Sequence, residues 1–429
     1  MRKVLFWLHL TAGVTAGLVI LIMCVTGAAL AFEKQINAWL EKPEVEIAPL
    51  ADGSPHLPVE TILAKAKEQN PVAPSSITLR SGRTDPAEVG AGRGGTLRVN
   101  PYTGDILSRT QAGQPGQPNQ STARAFFRTM EDWHRWLGGT GANRNRGKAI
   151  MDAGNLVFFG IICSGLFLWL PKKFTWQHLR PSLLFRGGLS GKARDWNWHN
   201  VIGIWAWVPL VLVVGSGVIM SYPWASNLLY TMTGSPLPPQ PGAGPGRGGG
   251  QGKIGPGEGP GRVAKGGPAG GEGRGPGGPG FGGLGGGAPA NWEGLNVAWA
   301  KAEQQVSGWQ SIRVQGSPNP NAPFAFNIDR GDGGQPQLRG TLVVGRDGQV
   351  VNWTDFSNNS TGQKLRLLAR FTHTGESLGV WGQAIAGLAT AGGAVMVYTG
   401  IALALRRLFA WRRRRGQPQE DAVPMTHIA

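Results

Sequence analysis

The chain has 429 residues and a formal net charge of +17, from 42 Lys and Arg against 25 Asp and Glu. Its mean hydropathy of −0.14 averages over four strongly apolar segments in a Gly- and Pro-rich polar background, so the length reads as several domains around membrane spans. The two cysteines, Cys24 and Cys163, both lie inside apolar segments, which leaves no CxxC motif and no disulfide framework. The positive charge flanks the apolar segments, where it sets orientation and meets anionic lipid, and it gives no argument for a nucleic-acid partner.

Residues 1–32 hold the first apolar run. It is too long for the apolar core of a secretory signal and is read as a retained transmembrane helix. Residues 33–122 are polar. PVETILAKAKEQ (58–69) has a helical period, and ITLRSG (77–82) and GTLRVNPYTGDILSR (95–109) read as strands around a turn at 101–104. Residues 123–149 contain the aromatic stretch ARAFFRTMEDWHRWLGG, expected at a membrane interface. The second span is placed at 150–171, a basic loop at 172–195 with Asp195 as its one acid, and the third span at 196–222. Residues 234–290 are Gly/Pro-rich low complexity, a composition that cannot bury enough apolar surface to fold. A second helix-then-strands pattern occupies 291–362, an interfacial segment 363–379, the fourth span 380–405 and a basic tail 406–429.

Short basic loops are cytoplasmic. The expected fold class is therefore membrane α-helical, with four transmembrane helices in two pseudo-repeats, each carrying a periplasmic α+β domain, and both termini in the cytoplasm.

Histidines carry the repeat. His9 is followed by Gly13 at +4 and Thr26-Gly27 at +17 and +18; His199 is followed by Gly203 and Ser216-Gly217 at the same offsets. His134 has Gly138 at +4, and His373 precedes the fourth span with Gly375 and Gly379 nearby. The second and fourth spans carry Ser164-Gly165 and Thr399-Gly400. Topology places His9 and His199 at the cytoplasmic side and His134 and His373 at the periplasmic side. Ionisable groups at membrane depth are costly and mark function. Two neutral imidazoles per face suit axial ligation of haem iron, because they supply lone pairs without adding charge. A glycine one turn from the ligand leaves room for a flat macrocycle, and Trp7, Trp133, Trp136, Trp198 and Trp381 line it or form an interfacial belt. Zinc would lack its further ligands. His56, His178 and His427 read as surface residues.

The motifs WLHLTAG (7–13), WHRWLGG (133–139), SGLFLWLPKK (164–173), WHNVIGIW (198–205) and FTHTGESLGVWGQ (371–383), in this order, resemble the PepSY-associated transmembrane family, and 58–109 and 292–356 resemble its PepSY modules. The resemblance implies two bis-histidine b-type haems, His9 with His199 and His134 with His373, in an inner-membrane protein that passes electrons to a periplasmic ferric-siderophore or other iron chelate. The donor, quinol or a separate reductase, is not legible. The resemblance also keeps a second reading open, a non-enzymatic scaffold or regulator of a periplasmic protease.

Overall fold

A bilayer offers backbone N–H and C=O groups no partner but each other, so each apolar stretch must close its hydrogen bonds within a helix. A computed structural model describes residues 1–40, 47, 54–91, 95–110, 122–171, 173–237 and 289–415. Helix α1 (Arg2–Leu30) is followed by α2 (Glu33–Leu40), α3 (Val59–Glu68) and strands β1 (Pro74–Arg80), β2 (Ala87–Ala91), β3 (Gly95–Val99) and β4 (Ile106–Thr110). Then come α4 (Thr122–Trp136), α5 (Asn143–Trp169), α6 (Trp176–Leu183), α7 (Gly191–Ser221) and α8 (Pro223–Met232). The last part holds α9 (Leu295–Gln305), β5 (Ser311–Gln315), β6 (Phe324–Asp329), β7 (Arg339–Val344), β8 (Val350–Asp355), α10 (Thr361–His373) and α11 (Gly379–Arg415).

Helices α1, α5, α7 and α11 are long and apolar enough to cross a membrane. They form a ring in which α1 touches α5 and α11, and α7 touches the same two. Their shared core holds Ile20, Cys24, Phe158, Leu210 and Val214. Close backbone approach drives such packing where water provides no hydrophobic force. A Cβ on Gly154 would stand 2.6 Å from Val19, so α1 and α5 meet over a bare backbone. The helices run past the expected spans. α5 starts at Asn143, α7 at Gly191 and α11 ends at Arg415, because a helix satisfies its own backbone whether its outer turns are apolar or not. The Gly/Pro insert falls on residues outside those described, apart from its ends at 234–237 and 289–290, as does the tail from 416 with His427.

The two helix-then-strands segments, expected as separate domains, share one eight-stranded antiparallel sheet in the order β4-β3-β2-β1-β5-β6-β7-β8. Strands β1 and β5 pair at its centre, Ile77 opposite Val314 and Leu79 opposite Ile312. Apart, each would be an open edge of unpaired backbone groups on a small sheet with one short helix. Joined, they build one core from Ile62, Ile77, Val89 and Leu97 of the first segment and Leu295, Ile312, Phe326 and Leu342 of the second. Helices α3 and α9 touch across it. The Glu60 carboxylate accepts from the Asn296 N–H at 3.0 Å, and the Asn296 side chain accepts from the Glu60 N–H at 3.1 Å.

One end of the bundle is tied across its helices and, through Arg339, to the sheet. Lys34 of α2 pairs with Glu376, and Gln35 donates to the Gln383 side chain at 2.6 Å. Gln383 is 4% exposed and donates in turn to the Ala31 carbonyl at 2.9 Å. Arg339 of β7 lies 5.4 Å over the Phe371 ring while bonding Asp329 at 2.8 Å. At the other end, the α6 loop is stapled to α7 by Asn197, which donates to the carbonyls of Pro181 and Leu184 and accepts from the Arg186 N–H. Asp195, read as a loop acid, is a helix residue of α7 and only 1% exposed. It joins Arg194 at 2.9 Å and Arg406 of α11 at 3.1 Å.

Candidate functional site

The four histidines of the repeat lie at two levels of the bundle. His9 on α1 and His199 on α7 are near the end that carries the α6 loop, and each helix crosses from there to the sheet end. His134 on α4 and His373 on α10 lie at the sheet end, their helices packed against α1 and α7 respectively. Seventeen residues along α1 separate His9 from Thr26, which touches His134. At about 1.5 Å per residue that is about 25 Å. It compares with a hydrocarbon thickness of about 30 Å.

His134 and His373 face each other with ring centroids 6.1 Å apart. Two imidazoles that share one first-row metal at nitrogen distances of about 2 Å have ring centres about 6 Å apart. His9 and His199 come from opposite corners of the helix ring and are electrostatic neighbours.

Each imidazole is anchored through Nδ1. His9 Nδ1 lies 2.9 Å from Ser164 Oγ, His134 Nδ1 2.9 Å from Thr26 Oγ1, and His199 Nδ1 3.1 Å from Thr399 Oγ1. Those hydroxyls have already spent their protons. Ser164 donates to the Ile161 carbonyl at 3.0 Å, Thr26 to Ile22 at 2.6 Å and Thr399 to Val395 at 3.0 Å. Only a lone pair remains for the imidazole, so Nδ1 carries the proton and donates. His373 Nδ1 lies 2.8 Å from the Val213 carbonyl, which can only accept. The carbonyl fixes the Nδ1 proton at His373, and with the hydroxyls donating to their own helix carbonyls the other three rings are assigned the same tautomer.

That donor set fits haem. Among the described residues no group of three or more His, Cys, Asp or Glu side chains is placed to hold a bare ion. Paired imidazoles instead suit a metal that brings its equatorial ligands in its own macrocycle. A metal-binding imidazole commonly donates its second N–H to a fixed acceptor, as all four do here.

The +4 glycines have unlike roles. A Cβ on Gly13 would meet nothing within 4 Å, and one on Gly203 would meet only Met396 Sδ at 3.5 Å, so both leave space beside their histidines. Gly138 does not. Helix α4 ends at Trp136, and Gly138 has φ +68° and donates to the Asp132 carbonyl at 3.1 Å. It closes the helix rather than clearing a ring, because the left-handed conformation favours glycine. Trp7 and Trp381 are 53% and 81% exposed and face outward as a belt. His56 stacks edge-on to Tyr102 at 4.8 Å, and His178 bonds Thr175 at 2.6 Å, both away from the bundle. Spacing did not reveal Thr26, Ser164 and Thr399 as partners of the histidines. The repeated Ser/Thr-Gly pair in every span was the available signal.

Beside the sheet-end pair, burial raises the Glu33 carboxyl above the ordinary carboxylate range. Glu131 and Glu376 add to that effect and Lys34 opposes it.

The fold and the site define a multi-pass membrane protein with four histidines at two levels of a four-helix bundle. The family model of the PepSY-associated TM region matches residues 6–407, and the chain belongs to that family. No curated protein matches it.

Proposed function

We propose that the chain is a two-haem electron carrier of the bacterial inner membrane, with both termini in the cytoplasm and the sheet in the periplasm. One b-type haem would be held by His9 and His199, the other by His134 and His373. It would draw electrons from the cytoplasmic side or from quinol and reduce a periplasmic ferric-siderophore or other iron chelate. The observation that carries this is the set of four imidazoles with Nδ1 bonded inward, two of them with ring centroids 6.1 Å apart. The basic residues Arg180, Arg186, Lys192, Arg194, Arg406 and Arg407, gathered at the end away from the sheet, support the orientation.

Haem supplies a one-electron Fe(III)/Fe(II) couple when bound. The chain's residues do the rest. His9 with His199, and His134 with His373, would hold the two haems at two depths of the bundle. The bundle core excludes water between them, with Phe158 7% exposed and Cys24 1% exposed. Reduction of the substrate would release its iron, since hard oxygen chelators hold Fe(II) less well than Fe(III).

The test is a reduced-minus-oxidised spectrum and haem stoichiometry of the purified protein, followed by electron transfer from the reduced protein to a ferric chelate. Two haems per chain, reoxidised by the chelate, is the expected result. A colourless protein would end this reading.

A further inference from the structure

Each imidazole sits in the same notch on a neighbouring span. Thr26-Gly27 of α1 receives His134, Ser164-Gly165 of α5 receives His9, Ser216-Gly217 of α7 receives His373 and Thr399-Gly400 of α11 receives His199. The carbonyl three residues before each hydroxyl also faces the ring: Met23 for His134, Ile161 for His9, Met396 for His199 and Val213 for His373. The glycine lies under the ring edge. A Cβ there would stand 3.2 Å from Cε1 of His134 or His373, and 3.4 Å from Cε1 of His9 or His199. Hydroxyl, carbonyl and glycine thus define one imidazole seat, complete at His9, His134 and His199 and lacking the hydroxyl bond at His373. At the His373 seat the Ser216 hydroxyl donates to the Val213 carbonyl at 2.8 Å, so the carbonyl alone receives the ring.

We infer that these Ser/Thr-Gly pairs are seats that orient the axial imidazoles and set their donor strength, with Thr26, Ser164 and Thr399 as the positioning residues. The inference rests on the haem ligation proposed above. An imidazole that donates through Nδ1 is the more basic at Nε2, and a more basic ligand favours the ferric state. The seats act locally. Thr26 serves the sheet-end pair, while Ser164 and Thr399 serve the other. The glycines let the ring edge approach the helix backbone, most closely at Gly27 and Gly217, where a Cβ would crowd Cε1 at 3.2 Å.

The experiment is a redox titration of the purified holoprotein, with each haem assigned by the histidine variants that remove it. Thr26→Val should raise the midpoint potential of the sheet-end haem alone. Ser164→Ala and Thr399→Val should raise that of the other haem alone. Thr26→Ser, Ser164→Thr and Thr399→Ser should keep the wild-type potentials. Unmoved potentials, or equal shifts of both haems in every variant, would overturn the inference. Loss of a haem in Thr26→Val with retention in Thr26→Ser supports seating by the hydroxyl; loss in both shows that the site responds to packing alone and overturns it. A second readout separates the seats from the haem reading. In protein prepared without haem and labelled with ¹⁵N-histidine, His9, His134, His199 and His373 should all be protonated at Nδ1. Protonation of any of them at Nε2 overturns the seats even if haem binds. A wild type that takes up no haem overturns the ligation and the potential-setting role, while the tautomers still decide the seating.

Discussion

His373 donates from Nδ1 to the Val213 carbonyl at 2.8 Å, an acceptor that no side-chain substitution removes. Ser216, in the position that bonds the ring at the other three seats, is itself a donor to that carbonyl. Ser216→Ala should therefore leave the sheet-end haem bound, while His373→Ala should remove it. Haem per purified chain checks this, and loss of haem in Ser216→Ala would show that the hydroxyl holds the ring after all.

Residues that act as one unit do not add. His9→Ala and His199→Ala should each remove the same haem, and the double variant should lose no more. His134→Ala and His373→Ala should agree with each other and spare the first haem. Gly13→Leu should insert normally, because a Cβ there meets nothing within 4 Å, yet lower the haem content on the His9 side. Additive losses would mean the pairs are not pairs.

Asp195 links α7 to α11 through Arg194 and Arg406. Its carboxylate is 1% exposed, whereas the two guanidinium groups are 40% and 45% exposed. Removing the carboxylate leaves cations that water can still reach, so Asp195→Ala should cost little. Arg406→Ala leaves the buried carboxylate with Arg194 on one oxygen alone and should cost about 1–3 kcal/mol of thermal stability. Thermal unfolding in detergent would show the order, and an Asp195→Ala loss exceeding that of Arg406→Ala would reverse the assignment.

One core under both halves of the sheet predicts shared stability. Phe326 is fully buried, and Phe326→Ala should cost about 3–5 kcal/mol. Hydrogen exchange should then rise in β1 to β4 as well as in β5 to β8. An effect confined to the second half would show that the β1–β5 junction does not transmit.

Glu33 gives the pH dependence. Burial raises its carboxyl, Glu131 adds to that and Lys34 opposes it. A carboxyl raised in the folded state contributes stability that is full below its unfolded value, about 4.3. That contribution is lost as pH rises through the folded value. Glu33→Gln should raise Tm at pH 7 by about 2 °C or less, the side chain being partly exposed. The gain should vanish near pH 4. A gain that grows on acidification would reverse the sign.

Hydropathy and the histidine register made the four spans legible, because a membrane helix declares itself by length and a misplaced titratable group by contrast. Gly138 was misread because a +4 spacing means a shared face only while the helix lasts, and α4 stops two residues earlier. Asp195 looked like a solvated loop acid because its partner Arg406 lies 211 positions away in the chain. The pairing of Ile77 with Val314 is equally remote. Each strand alone reads as an ordinary half-buried strand, and nothing in its alternation says which edge it will join. The Ser/Thr-Gly pairs were visible as a repeat, but their meaning depends on a ring arriving from another helix.

Each histidine pair takes one member from the first 134 residues and the other from position 199 or later, and the seat of His199 is supplied by Thr399 in the last helix. During synthesis neither pair exists until the third helix or α10 has emerged, and the His199 side is incomplete until nearly the whole chain has been made. Loading of the proposed haems would therefore be a late event in biogenesis, and on the His199 side it would wait for the final span. Any fragment that stops short of α10 would reach the membrane with lone imidazoles and no finished site at the sheet end.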